Sequence, residues 1–200
     1  MITGIISVAT SIIEGLAVAG LTIEGLKTLG NALISLGKAL GIIDDDTDIE
    51  ELGDKVIQAE EEGIVPEKYD NYDDYMKDID DYDVDIEKSE LITEEEKINK
   101  GIETVTAASI DKFPEVGLEE FFNLAGTNEE YFTKERMNAL GEKITEGMDS
   151  VEHIVGFIDG SEKNLDVIDS AIKDMVDIEK RAYPELDDKQ AEENVICQRN

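Results

Sequence analysis

Apolar side chains recur at three- and four-residue steps along the first 43 residues, a spacing that predicts amphipathic helices. The first stripe contains Ile2, Ile5, Ile6, Ala9, Ile12, Ile13 and Leu16. The second stripe has heptad spacing and is called the leucine seam; it contains Leu26, Leu29, Leu33, Leu36 and Leu40. The helical phase slips near Gly20, so the pattern predicts two helices or one helix kinked there.

Three glycines flank the leucine seam: Gly30, Gly37 and Gly41. Because glycine lets a second backbone approach closely, we expect these glycines and the five seam leucines to form an interaction surface. The surface would pack against the rest of the protein, against copies of the chain, or against a protein partner in a larger assembly.

Similar steps return near the end of the chain. Apolar residues of one stripe predict a helix over Thr133–Ile158, and those of a second stripe predict another over Glu162–Ala182. The turn Asp159-Gly160-Ser161 separates them, so the two helices form an αα-hairpin. A further helix is expected near Asp187–Cys197.

Helix starts are marked by Thr residues that precede a Glu by three positions, the spacing of a capping box. Three such pairs occur: Thr47 with Glu50, Thr93 with Glu96, and Thr127 with Glu130. Ser161 is expected to cap the second helix of the hairpin. Strand-like alternation of useful length is missing. We therefore predict an all-α, multi-helix bundle with an apolar Gly/Leu-rich N-terminal helix pair and a C-terminal αα-hairpin.

Charge divides the 200-residue chain into three regions. The net charge is −32, but residues 1–43 are neutral because two glutamates balance two lysines. Residues 44–97 form an acidic helix and loop region that carries more than half of the excess, and residues 98–200 form a C-terminal helical bundle region. This balance argues against direct binding to nucleic acid phosphates or anionic lipid, and it favours a basic partner.

The acidic region raises two further possibilities, calcium binding and mimicry of nucleic acid. A calcium-binding EF-hand loop that starts at Asp81 would need Gly at position 86 and Glu at position 92, but both are Ile. A loop that starts at Asp44 fails at Ile49 and Lys55. We expect a solvated acidic surface, with carboxylates in the positions of phosphates as the alternative.

Residues for catalysis are scarce. His153 is the only histidine and Cys197 is the only cysteine, so no intramolecular disulfide forms and zinc or di-iron motifs are incomplete. We interpret His153 as a half-exposed structural residue on a helix. The sequence predicts no catalytic residue, no cofactor, no metal ligand and no enzymatic activity.

The predicted function is that of a structural or adaptor subunit that acts by helix-mediated protein contact or self-association. One alternative is a membrane-interacting protein that inserts residues 1–43, although charges divide this region into runs shorter than the about 20 residues that spanning requires. Another is an acidic inhibitor or nucleic acid mimic that binds a basic protein. No signal peptide is recognised. The composition suggests a bacterial or phage protein, either cytoplasmic or part of a phage-like or secreted assembly.

Overall fold

The computed structural model describes residues 2–19, 21–128 and 130–199, and within these ranges the chain forms eleven α-helices and no strand. The helices are α1 Ile2–Ala19, α2 Ile23–Ala39, α3 Ile49–Glu61, α4 Tyr72–Asp80, α5 Ile86–Ser89, α6 Glu94–Lys112, α7 Leu118–Thr127, α8 Lys134–Thr145, α9 Glu152–Ile158, α10 Leu165–Ala182 and α11 Asp188–Ile196. A 3-10 turn at Pro66–Lys68 precedes α4. The predicted all-α class is confirmed.

Helices α2 and α6 lie at the centre of the bundle. Helix α2 packs against α8 and α6, while α6 also contacts α1, α3, α4 and α7. Apolar side chains from all three charge regions share one hydrophobic core. The acidic region is therefore folded onto the other two, and most of its carboxylates are exposed, while that of Asp54 in α3 is buried.

Two glycines set the distance between α3 and α6. A Cβ added at Gly53 would lie 1.8 Å from the Lys97 carbonyl oxygen, and one at Gly101 would lie 2.4 Å from the Ile49 carbonyl oxygen. Both neighbours are backbone atoms, so only glycine permits this helix crossing. The close crossing fixes the segments that begin α3 and α6 against each other.

The N-terminal region contains two helices, and the predicted kink residue Gly20 lies outside the described residues. Helix α2 begins after Thr22, whose Oγ1 accepts a hydrogen bond of 3.1 Å from the Gly25 N–H. The helix ends at Ala39; two residues later, at Gly41, φ is +66°, and the Ile42 N–H donates to the Gly37 carbonyl at 2.9 Å. This is a Schellman motif, which a left-handed glycine completes.

The predicted hairpin differs from the structure in its first helix. The apolar stripe over Thr133–Ile158 is divided into α8 and α9, and the chain between them turns at Gly147 with φ of +111°. The Met148 N–H donates to the Lys143 carbonyl at 2.9 Å, which is again a Schellman closure. Helix α10 corresponds to the second predicted helix and packs against both α8 and α9.

The predicted helix starts have mixed outcomes. Thr93 and Glu96 form the predicted capping box of α6, and α11 lies where the last helix was expected. The caps predicted at Thr47, Thr127 and Ser161 are wrong, because a nearby polar residue caps the helix instead or because the helix starts later. The observed caps are Asp48 for α3, Thr133 for α8 and Asn164 for α10.

Candidate functional site

The leucine seam lies inside the chain's own core. Its five side chains keep between 0% and 6% of their surface exposed, and helices α6 and α8 cover them. A Cβ added at Gly141 of α8 would lie 2.5 Å from the Ala39 side chain of α2, so these two helices are in close contact. The surface predicted for a partner at Leu26, Leu29, Leu33, Leu36 and Leu40 is thus occupied by the protein itself.

The three glycines beside the seam have separate roles in the fold. A Cβ at Gly30 would lie 2.7 Å from the Ile49 side chain, and one at Gly37 would lie 2.7 Å from Val105. These glycines therefore admit side chains of α3 and α6 and not the backbone of a partner. Gly41 has no atom within 4 Å of an added Cβ and is required by the turn that ends α2.

The side of α1 that points away from the core is exposed and is called the α1 outer face. It comprises Thr3, Gly4, Ser7, Ser11, Glu14 and Gly15. The Ser7 hydroxyl donates to the Thr3 carbonyl at 3.1 Å, and the Ser11 hydroxyl donates to the Ser7 carbonyl at 2.9 Å. Since these hydroxyls already have partners, covering them leaves no unpaired donor. The face carries one charge, that of Glu14.

A groove of about 600 Å³ opens between α1, α3, α5 and α6 and is called the acidic groove. Ile13, Ile57, Leu91 and Ile92 supply its apolar lining. Leu91 is 84% exposed, the highest value among the exposed large apolar side chains that the structure describes. The carboxylates of Glu61, Glu96 and Glu103 and the ammonium groups of Lys88 and Lys100 complete the lining.

One wall of the acidic groove, residues 86–92, is anchored by a polar network centred on Asp54. Asp54 keeps only 6% of its residue surface exposed, and Lys97 Nζ lies 2.7 Å from its Oδ2. Ser89 also donates to this carboxylate, and Lys97 donates to Ser89 Oγ at 2.7 Å. The Gln58 side chain accepts from the Asp85 N–H at 2.9 Å and donates to the Asp85 carbonyl at 3.2 Å. The network fixes the chain on both sides of α5.

Removal of the Asp54 charge tests this anchor. Burial alone would raise the pKa of Asp54, but hydrogen bonds from Lys97, Ser89 and Gln58 outweigh burial and hold that pKa below its ordinary value. We expect Asp54→Asn to lower the free energy of unfolding at pH 7 by about 3 kcal/mol, because Lys97 loses its buried partner. Urea denaturation followed by circular dichroism measures this loss.

The pH dependence of the same variant has a defined sign. A depressed carboxyl pKa contributes stability above the unfolded-state value of about 3.9, and this contribution disappears as pH falls through the folded-state value. The difference in free energy of unfolding between wild type and Asp54→Asn should therefore be constant near neutral pH. It should decrease as the pH falls below about 4. Asp74→Asn, which removes an exposed pair with Lys77, is the control. A difference that persists on acidification would contradict the assignment.

A second cluster joins α1 to the wall shared by α3 and α6. Lys100 Nζ lies 2.9 Å from Glu60 Oε1 and 3.2 Å from Glu103 Oε2, while the Thr10 hydroxyl of α1 donates to Glu103 at 3.0 Å. Burial raises the pKa of Glu60, and Lys100 opposes this rise. The cluster separates the acidic groove from a smaller cavity of about 210 Å³ that Tyr75 lines. It therefore holds α1 across the groove's inner end.

His153 occupies a cleft of about 500 Å³ between α8, α9 and α10. Its Nε2 donates to Asp174 Oδ2 at 2.9 Å, and Lys143 Nζ contacts Asp174 Oδ1 at 3.1 Å. Lys143 also pairs with Asp177 at 2.7 Å. The Asp174 carboxylate of α10 thus contacts Lys143 of α8 and His153 of α9. These contacts attach α8 and α9 to α10.

The sequence raised the possibilities of cation binding in the acidic region and of membrane contact through residues 1–43. In the part of the chain that the structure describes, no group of three or more His, Cys, Asp or Glu side chains is arranged to hold a metal ion. Among the same residues, no helix has both the length and the apolar character needed to cross a bilayer.

Comparison with known proteins finds no family model that matches the chain, and it finds no similar curated protein or solved structure. The α1 outer face and the acidic groove therefore have to be interpreted from their own chemistry.

Proposed function

We propose that this chain is a structural or adaptor subunit that acts by protein contact, and that the α1 outer face is where two copies meet. The observation that supports this proposal is a pair of exposed helical glycines, Gly4 and Gly15, for which the fold itself gives no reason. A Cβ added at either position would meet no atom within 4 Å.

Six other helical glycines differ from this pair. Those at Gly30, Gly37, Gly53, Gly101, Gly126 and Gly141 each have an atom of the same chain within 3.0 Å of an added Cβ. Each glycine in a helix interior costs about 1 kcal/mol relative to alanine. At Gly4 and Gly15 no close contact inside the chain offsets this cost. Close approach by a second molecule is therefore the physical reason that we assign to these two glycines.

Charge favours a second copy of the chain as the occupant. Two molecules of net charge −32 repel each other over most of their surfaces, whereas residues 1–43 are neutral. An antiparallel pairing of α1 helices about a two-fold axis brings Gly4 of one copy next to Gly15 of the other. It keeps the two Glu14 carboxylates about 14 Å apart along the helix axes, beyond the screening length of about 8 Å at physiological salt.

The double variant Gly4→Gln/Gly15→Gln tests the proposal. Glutamine is a good helix former, so the free energy of unfolding of the monomer should rise by about 1 to 2 kcal/mol, while its long side chain blocks close approach of a second helix. We expect the wild-type chain to be a dimer and the variant a monomer in size-exclusion chromatography with light scattering over a range of concentrations.

Lys189→Ala, a change on the exposed side of α11, is the matched control and should leave the oligomeric state unchanged. A wild-type chain that is monomeric throughout, or a dimer that is unaffected by the glutamines, would reject the α1 contact. The same samples mixed with liposomes test the alternative of membrane interaction through residues 1–43: wild-type protein that moves with the lipid while the variant stays behind would favour that alternative.

A second candidate function is that of an acidic protein that binds a basic protein. The carboxylates around the acidic groove favour it, and it is compatible with self-association because α1 contributes only Ile13 to that groove and presents its outer face elsewhere.

A further inference from the structure

An exposed apolar side chain, Leu91, lies on the wall of the acidic groove. Leu91 is 84% exposed and lines the groove together with Ile13, Ile57 and Ile92. Single exposed apolar side chains are common, but an apolar surface rimmed by polar residues is typical of an interaction site. The polar network around Asp54 fixes this segment, so the exposure belongs to an anchored wall.

The surroundings of the groove are strongly negative. The segment 86–96 contains five glutamates and one lysine, and Glu61 at the end of α3 and Glu62 directly after it are exposed nearby. The two lysines that line the groove already contact carboxylates: Lys88 lies 3.4 Å from Glu62, and Lys100 pairs with Glu60 and Glu103. The groove therefore combines an apolar lining with an excess of acceptor groups at its edge.

We propose that the acidic groove binds an amphipathic helix of a partner protein, with apolar side chains on one face and Lys or Arg on either side of that face. Helices bind grooves of this kind through apolar residues spaced at i, i+3 or i+4, and i+7. The apolar face would cover Leu91, Ile57 and Ile13, and the basic side chains would meet the glutamates at the edge.

Charge favours a basic helix over the other occupants that the shape would admit. A second copy of this chain has 50 acidic side chains and only 18 basic ones to place beside the glutamates, and an anionic membrane would be repelled by them. The proposal rests on the idea that the chain acts by protein contact, but it uses a different surface from the α1 outer face. Loss of one contact therefore leaves the other in place.

The test measures binding of a fluorescently labelled model peptide, an 18-residue helix of Leu, Lys and Ala with its leucines on one face. A peptide of the same composition but scrambled order has the same charge and no apolar face, so it measures charge attraction alone. We expect the full-length protein to bind the amphipathic peptide at least about tenfold more tightly than the scrambled one, as burial of exposed leucine surface implies.

Leu91→Ser should abolish most of this preference, because it removes the exposed apolar anchor and leaves the charges unchanged. Leu165→Ser is the matched control, since Leu165 of α10 is 74% exposed and lies outside the groove. Equal binding of both peptides, equal losses in both serine variants, or binding to uncharged lipid vesicles that requires Leu91 would overturn the proposal. Light scattering of the Leu91→Ser variant tests self-association separately, and dissociation of a dimer by this change would make a second copy the occupant.

Discussion

We expect Arg136→Ala to lower the free energy of unfolding by about 4 kcal/mol, as the removal of one partner from a buried ion pair does. Arg136 of α8 donates to both carboxylate oxygens of Glu179 in α10, from Nε at 2.5 Å and from Nη2 at 2.7 Å. Glu179 has no exposed surface, so the variant leaves a carboxylate without its cation in the core.

The environment of this pair explains why so large an effect is expected. The guanidinium lies between two aromatic rings, 4.4 Å from the centroid of Tyr131 and 4.7 Å from that of Tyr183. It also donates to the Tyr131 carbonyl at 2.8 Å, and Asn194 of α11 donates to Glu179 at 2.8 Å. The substitution thus removes contacts that join α8 to α10 and to the loop before α8, and it leaves Asn194 as the remaining side-chain partner of Glu179.

Arg181→Ala is the control for this experiment. Arg181 also forms a two-pronged pair, with Glu146 at 3.0 and 2.8 Å, but Glu146 is 61% exposed. An exposed pair contributes about 1 kcal/mol or less. Urea denaturation of both variants measures the comparison, and equal losses would refute the view that burial decides the effect. The double variant Arg136→Met/Glu179→Leu should recover most of the loss, because no charge is then left unpaired.

The second large effect is expected for Gly53→Ala, which should cost at least about 3 kcal/mol. The added methyl group would lie 1.8 Å from the Lys97 carbonyl oxygen, and a backbone atom cannot move aside as a side chain does. Helices α3 and α6 would have to separate, with loss of packing around Ile49 and Ile98. Thermal unfolding and urea denaturation both measure this change.

Gly4→Ala, an identical chemical change on the open side of α1, is the control for Gly53→Ala and should leave the chain equally or more stable. If both alanine variants had the same stability, the close crossing of α3 and α6 would not be a constraint on the fold. A further check is Gly101→Ala on the opposite helix, which should destabilise the same crossing.

The all-α class could be predicted because apolar steps of three and four residues mark every long helix of the chain. The break at Gly147 could not, because Met148, Val151 and Val155 continue the apolar spacing through a segment that is not helical. Spacing reports which side chains are buried and carries no information on a positive φ. Capping pairs were similarly ambiguous: Thr47 is followed directly by Asp48, and the N-cap of α3 is Asp48.

The candidate sites were less accessible to sequence reasoning. A leucine stripe has the same pattern whether it meets its own chain or a partner, so the leucine seam could not be assigned to the internal core from spacing alone. The acidic groove had a weak signal in the Leu91-Ile92 pair, which lies between glutamates. Recognition of the groove required the positions of Ile13 and Ile57, which belong to distant parts of the chain.

The packing of α1 has a consequence for protein synthesis. Leu16 rests where a side chain at Gly126 would be, and α1 packs against α6 and α7, which are translated much later. At about 5 to 20 residues per second, roughly ten seconds pass before these partners leave the ribosome. Because net charge opposes association, we expect the acidic residues 44–97, which are made in between, to keep the apolar first helix from aggregating during that interval.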